Sequence, residues 1–290
     1  VSNLPGPGAS SRPEQWWQDR AGRAWIELSA ETDRSLDPLG RLALDRLAPK
    51  GGERVLDIGC GSGQTVVQIA EAVGPTGRVL GVDVSEIMLA GARARVANAG
   101  AGQVELICAD AASHPFPTAA FDAIFSRFGV MFFEHPRAAF ANLCAALTTS
   151  GRISFVCWQA IERNPWALLP LRAVQAALPA APVPPQLGDG PGPFSFAEPA
   201  HVGEILASAG FRDIDVRPWT GSLQVGGART VDEAASYLMR IGPAARLIGE
   251  REAAPAGPDV REALARAVAP FAGADGVWMD AAVWLVTARA

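Results

Sequence analysis

Val55-Leu56-Asp57-Ile58-Gly59-Cys60-Gly61-Ser62-Gly63 runs an apolar strand straight into a glycine-rich turn, and a helical pattern starts at residue 64. Glycine is needed where φ is positive and where backbone must approach a ligand closely. Three glycines at alternate positions exceed what a plain strand-to-helix turn requires, so this turn is expected to pack against something bound. Working outward, short apolar runs at 54–58, 78–83, 104–109, 121–126 and 152–158 read as strands. Helical patterns fill the gaps at 64–73, at 85–98 with Ser85 as cap, and at 136–147 before a turn at Gly151. Alternation of this kind predicts a parallel sheet with crossover helices, its strands apolar because both faces are buried.

Beyond Trp158 the pattern changes. Pro179, Pro182, Pro184, Pro185, Pro191, Pro193 and Pro199 crowd one segment, which reads as a stiff excursion and a lid rather than a linker. A helix at 201–209 ends at Gly210 and leads to a strand near 214–217. A last strand is expected at 282–288, with helical stretches at 231–249 and 259–270. The fold class is therefore α/β: a doubly wound, mostly parallel seven-stranded sheet, with an N-terminal helical segment and an inserted lid.

Composition removes several function classes. With 25 basic against 30 acidic residues the net charge is −5, which gives no field to hold a polyanion, so no nucleic-acid partner is expected. Hydrophobic residues at 49% and charged residues at 19% describe a globular chain with a real core. No uninterrupted apolar run reaches the length of a membrane span. Residues 1–12 read as a floppy leader without the features of a signal peptide. Cys60, Cys108, Cys144 and Cys157 form no C-x-x-C pair, and with three histidines in the chain no metal site is expected. Reduced thiols suit a cytoplasmic location. A homodimer is admitted, not required, by the sequence.

Asp57, Asp83 and Asp110 each fall at or near the carboxyl end of an expected strand, one βα unit apart. In an open parallel sheet those ends form the ligand crevice, which puts all three carboxylates on one cleft. An acid after the second strand accepts from a ribose diol and repels a 2′-phosphate, so the ligand contains a nucleoside. A dinucleotide fingerprint wants a small residue at position 64, where this chain has Gln64.

The G-x-G-x-G string after Asp57, with an acid at the second strand end, resembles the class I S-adenosylmethionine-dependent methyltransferases, in particular their small-molecule, quinone-biosynthesis-like branch. The likeness extends over residues 48–158 and includes Val82-Asp83-Val84-Ser85, Met88, Ala109-Asp110-Ala111 and Phe121-Asp122-Ala123-Ile124-Phe125-Ser126-Arg127. It implies a Rossmann-like methyltransferase domain over 1–290: a helical cap at 13–47, a cofactor-binding core at 48–158, a lid and acceptor-pocket insertion at 159–200, and a C-terminal part at 201–290 with a helical insertion at 231–270. It further implies that Gly59 and Gly61 cradle the methionine part and ribose, with Asp57 near the amino group. Asp83 would take the ribose hydroxyls, Val84 and Met88 would flank adenine, and Asp110 would accept from the adenine amino group beside Ala111. Ser126 and Arg127 open the loop next to the methionine moiety. Relatives often carry a substrate-lining histidine in that loop, whereas Met131 stands here, which suggests an apolar acceptor pocket and leaves proton removal unassigned.

Trp16, Trp17 and Trp25 fall in a helical pattern at 14–28. They either roof a sulfonium, worth about 0.5–2 kcal/mol in cation–π attraction, or dock a short helix on the sheet. Trp25, Phe128, Met131, Trp158 and Trp166 are the candidates for the acceptor pocket, with Phe132 and Phe133 either there or in the core. His114, in the loop after Asp110, is the general-base candidate by position, against the alternative of an ordinary loop histidine. His135 and His201 read as helix starts. Arg127 either orients an anionic group or pairs with a carboxylate such as Asp122.

The expected reaction is methyl transfer from S-adenosylmethionine, with S-adenosylhomocysteine as product and no metal. The acceptor is a small, largely apolar molecule (quinone, phenol or polyketide-like), methylated on oxygen or activated carbon mainly through positioning and desolvation. A nicotinamide-dependent oxidoreductase and a non-catalytic cofactor-binding module remain the alternatives.

Overall fold

In the computed structural model, residues 20–178, 190–249 and 258–290 are described. The leader expected at 1–12, Trp16, Trp17 and Pro179 to Pro185 lie outside them. The glycine turn follows β1 (Arg54–Ile58), which is flanked by β2 (Arg78–Asp83) on one side and β4 (Phe121–Arg127) on the other. With β3 (Val104–Cys108), β5 (Leu147–Trp158), β6 (Arg212–Gln224) and β8 (Gly276–Arg289) the sheet runs β3-β2-β1-β4-β5-β8-β6, and a two-residue β7 (Ala272–Gly273) pairs with β8. Strands β1 to β5 are mutually parallel; β8 alone runs against its neighbours β5 and β6. The chain order reverses between β1 and β4, which is where a ligand crevice opens in such a sheet.

Before the sheet come α1 (Arg20–Glu27) and α2 (Ser29–Leu47). Helices α3 (Gln64–Val73) and α4 (Glu86–Asn98) cross over to β2 and β3, α2, α3 and α4 contacting one another in turn. Ser85 caps α4, its hydroxyl accepting from the Met88 amide at 3.3 Å. Gly91 on α4 leaves room for α1: a Cβ there would lie 2.7 Å from Ile26 Cδ1. Helices α5 (Pro136–Ala146) and α7 (Pro199–Ser208) pack against each other, while α6 (Pro165–Ala177), α8 (Val231–Leu238), α9 (Pro243–Gly249) and α10 (Pro258–Val268) form a cluster around α6.

Some expectations needed revision. Edge strand β3 is half exposed rather than buried on both faces. The pattern at 231–249 breaks into two helices, because Gly242 takes φ 94° and Pro243 restarts the chain. Strands β6 and β8 are far longer than 214–217 and 282–288 suggested. Asp213, Arg217 and Thr220 interleave with apolar residues in β6, which hides the strand from an apolar-run reading. Pro218 is tolerated because β6 is an edge.

Candidate functional site

Gly59, Gly61 and Gly63 all take positive φ, at 68°, 55° and 85°. The turn is squeezed from beneath: a Cβ on Gly59 would come 2.8 Å from Gly129 Cα, and one on Gly63 would come 2.9 Å from Ala92 Cα. Several of its amides are bonded within the fold. Gly59 and Cys60 both donate to the Val82 carbonyl, at 2.8 and 3.1 Å, and Gly61 donates to Asp83 Oδ2 at 2.8 Å.

Above the turn lies a cavity of about 680 Å³, bounded by the carboxyl ends of the strands, by α2 and by the C-terminal helices. That is a usual size for a small-molecule site. Its wall includes Gly59, Gly61, Asp83 and Val84, together with Met88, Asp110 and Ala111. A Cβ on Gly61 would stand 3.2 Å from Met88 Cε, so bare backbone keeps this part open. Asp83 also accepts from the Ser85 amide at 2.9 Å, and burial raises its carboxyl against the hold of these amides. Asp110 is fixed by the Ala112 amide at 2.9 Å and by the Ser113 hydroxyl at 3.0 Å.

Two members of the expected set do not reach the wall. Asp57 has no exposed surface: the Thr65 hydroxyl donates to its Oδ2 at 2.5 Å, and among the described residues its Oδ1 has no hydrogen-bond partner. Burial pushes its carboxyl up to about 7. Only two of the three strand-end acids therefore share the cavity, because Asp57, two residues before the turn, is directed at Thr65 in the first turn of α3. Ser126 is equally buried, its hydroxyl donating to the Ile58 carbonyl at 2.8 Å and accepting from the Gly129 amide at 3.2 Å. It stitches the two switch-point loops together from below.

Arg127 lines the cavity but is not a free cation. Its Nη2 lies 3.1 Å from Asp33 Oδ1, its Nη1 donates to Gln64, and Asp33 Oδ2 also meets Arg95 Nη1 at 2.6 Å. The expected carboxylate partner, Asp122, instead faces Arg54 at 3.4 Å. Gly40 of α2 makes the arrangement fit, since a Cβ there would come 2.8 Å from Arg127 Cδ. Asp33, Asp83, Asp110 and Glu134 all line the cavity, so its wall is acidic around one paired guanidinium. Such a wall favours a cationic ligand over an anionic one.

Another part of the wall is aromatic. Phe128 stacks on Trp158 with centroids 4.3 Å apart, and Trp158 meets Trp166 at 4.7 Å. Phe128 holds φ 61°, an unusual conformation for a bulky residue, which places its ring on this wall. Met131 and Trp25 line the same space, and Met131 Sδ accepts from the Trp158 amide at 3.4 Å. Asn164, wholly buried, donates to the carbonyls of Gln159, Ala160 and Ala282 and accepts from the Ala282 amide and from Trp166 Nε1. The aromatic wall is thereby anchored to β8.

His114 does not line the cavity. Its ring packs edge-on against Phe116 at 4.8 Å, and its carbonyl accepts from Asn142 Nδ2 at 2.9 Å. His135, read from sequence as a helix start, does precede α5 but also lines the cavity. Thr32, Asp33, Val225, Tyr237 and Ile241 line it as well, and nothing local in the sequence marks them. They arrive from α2 and from the C-terminal segments only through tertiary packing.

A family profile described as a methyltransferase domain matches residues 55–151. The chain is 31% identical over 238 residues to the nocamycin O-methyltransferase of Saccharothrix syringae, a match covering 76% of this chain and 85% of that protein. It is 31% identical over 155 residues to the ubiquinone/menaquinone biosynthesis C-methyltransferase of Pseudomonas fluorescens, covering 50% of this chain and 60% of that one. Among solved structures, the phosphoethanolamine N-methyltransferase 2 of Haemonchus contortus, in complex with S-adenosylhomocysteine, superposes with a TM-score of 0.59 at 20% identity, covering 98% of this chain and 61% of that chain. At that identity the superposition speaks for the fold alone.

Proposed function

The chain belongs to the class I S-adenosylmethionine-dependent methyltransferases, and from that premise we propose that its cavity methylates a small, planar, largely apolar acceptor of the quinone, phenol or polyketide kind. The observation that carries this reading is the mixed lining of one cavity. Asp83, Asp110 and the glycine turn share its wall with the stacked Phe128, Trp158 and Trp166. The relatives named for nocamycin O-methylation and for ubiquinone/menaquinone biosynthesis support acceptors of this class.

The residues at the turn fit the cofactor. Gly61 lacks the Cβ that would fill the space beside Met88, Asp83 offers carboxylate lone pairs for ribose hydroxyls, and the acidic wall suits a sulfonium. Asp83 and Asp110 would hold the nucleoside, with Val84, Met88 and Ala111 around the base. Gly59 and Gly61 would face the ribose and methionine parts, and Asp57 supports the turn from below. Bound there, S-adenosylmethionine supplies an electrophilic methyl: the acceptor atom forms the new bond, the carbon–sulfur pair stays on sulfur, and the acceptor's proton passes to water or a nearby base. The protein's part is to orient and to exclude water, which can supply much of the rate without a dedicated acid or base. His135, exposed at the rim, is a better placed proton acceptor than His114. Arg127 orients through its bond with Asp33 and does not meet the acceptor as a free cation. Among the described residues no cluster of metal-ligating side chains is present, and no helix is long and apolar enough to cross a membrane. The four cysteines are free thiols, in keeping with a reducing, cytoplasmic setting.

Calorimetric titration with S-adenosylhomocysteine and with NADH tests the cofactor, and incorporation of radiolabelled methyl into a panel of phenols, quinones and amines tests the reaction. We expect binding of the first ligand only and labelling of the aromatic oxygen compounds. Binding of NADH alone would overturn the reading, and tight nucleoside binding without any labelling would favour a non-catalytic role.

A further inference from the structure

Tyr237, the chain's only tyrosine, comes from α8, and Thr32 comes from α2. Their hydroxyls lie 3.2 Å apart, both residues are buried, and both line the cavity. Two hydroxyls carry two protons, and the bond between them uses one. Among the described residues neither hydroxyl has a further partner, so the pair keeps one proton and spare lone pairs, and an unmet buried donor is costly.

The ring is seated, not incidental. Gly226 takes φ 58°, and a Cβ there would come 2.4 Å from Tyr237 Cγ, so the turn at 225–227 is shaped to receive the phenol. The sheet order shows the side from which Tyr237 arrives. The glycine turn and the cavity's strand-end acids follow β1, β2 and β3, whereas Val225 follows β6 at the opposite edge and Tyr237 and Ile241 come after it in the chain. Tyr237 thus reaches the cavity from the β6 side, and Thr32 meets it from α2, beside the Asp33 that pairs with Arg127; Phe128, Trp158 and Trp166 line the same cavity.

We propose that Tyr237 and Thr32 form a polar anchor that hydrogen-bonds an oxygen of the aromatic acceptor and so selects oxygenated rings over plain hydrocarbons. This rests on the methyl-transfer reading above. Burial raises the Tyr237 phenol further above its ordinary value, so it acts as a neutral donor and not as a base. The anchor sets orientation and choice of acceptor: the aromatic slab binds any flat apolar ring, and the hydroxyl pair fixes which edge enters first.

The test uses 1-naphthol and naphthalene as probes, read by quenching of tryptophan fluorescence in the full chain saturated with S-adenosylhomocysteine. The wild-type protein is expected to prefer 1-naphthol by about tenfold, the scale of one buried hydrogen bond. Tyr237→Phe should erase that preference while leaving nucleotide affinity within about twofold, and Thr32→Val, a milder change, should reduce it. A Tyr237→Phe protein that keeps the full preference, or that loses nucleotide affinity instead, overturns the anchor. So does a wild-type chain that binds the nucleotide but treats the two probes alike. Absence of nucleotide binding in the wild-type chain would strike the methyl-transfer reading itself, so the two failures are distinguishable.

Discussion

Asp33 Oδ1 lies 3.1 Å from Arg127 Nη2, while the other oxygen of the same carboxylate lies 2.6 Å from Arg95, so a single acid on α2 ties the end of β4 to helix α4. Arg127 stays neutralised at the wall, and the N-terminal helices are held over the glycine turn. Removing one partner of such a buried arrangement strands the other charges. Asp33→Ala is expected to cost about 3 kcal/mol, read as a fall in the urea midpoint, and to weaken S-adenosylhomocysteine binding. An unchanged midpoint would mean that α2 is held by its apolar face alone.

The buried Asp57 carboxyl, pushed up to about 7, gives stability a definite pH dependence. The folded state holds this proton over a range where the unfolded chain has already lost it. Stability from this group is complete below its ordinary carboxylate value and drains away as pH rises toward 7, by roughly 3–5 kcal/mol at 1.4 kcal/mol per pH unit. Asp57→Asn carries no titrating proton, so the fall in stability between about pH 4 and pH 7 should flatten. Denaturant melts of both proteins across that window decide it, and parallel slopes would show that Asp57 is ionised in the fold.

Much of this was legible beforehand because the chemistry sits at strand ends. β1 to β4, the glycine turn, Asp83 and Asp110 could be read from apolar runs followed by punctuation, and the cavity holds them together. Asp57 misled because a strand's last inward and outward positions look alike in sequence, and only the bond to Thr65 shows which way it turns. His114 misled because distance along the chain from Asp110 says nothing about direction, and its ring folds back on Phe116. Thr32, Asp33 and Tyr237 gave no local signal at all. They matter through contacts spanning up to about two hundred residues, which no periodicity encodes.

Asp83 joins the turn to the cavity wall by accepting from both Gly61 and Ser85. Asp83→Ala therefore frees two amides and removes the acceptor for a ribose diol. Affinity for S-adenosylhomocysteine should drop by about 1–3 kcal/mol, measured by calorimetry at constant ionic strength. Methionine alone, which lacks the ribose, should not sense the change. Equal affinity for the nucleoside product would take Asp83 out of the site.

Gly59 and Gly61 share positive φ but face different neighbours, so the same substitution should fail in different ways. On Gly59 a new Cβ meets backbone, Gly129 Cα at 2.8 Å, and backbone cannot step aside. Left-handed strain of about 1–2 kcal/mol then adds to an overpacking cost of about 1–3 kcal/mol. On Gly61 the nearest atom is the tip of Met88 at 3.2 Å, a flexible end that can swing, so strain dominates the stability cost and the displaced tip intrudes on the cavity. Gly59→Ala should therefore lower the thermal midpoint more than Gly61→Ala, and Gly61→Ala should lose the larger share of S-adenosylhomocysteine affinity for the stability it gives up. Thermal melts and calorimetry on the two variants give both quantities. If Gly59→Ala melts with the wild-type protein, the contact between the two switch-point loops is not what shapes the turn.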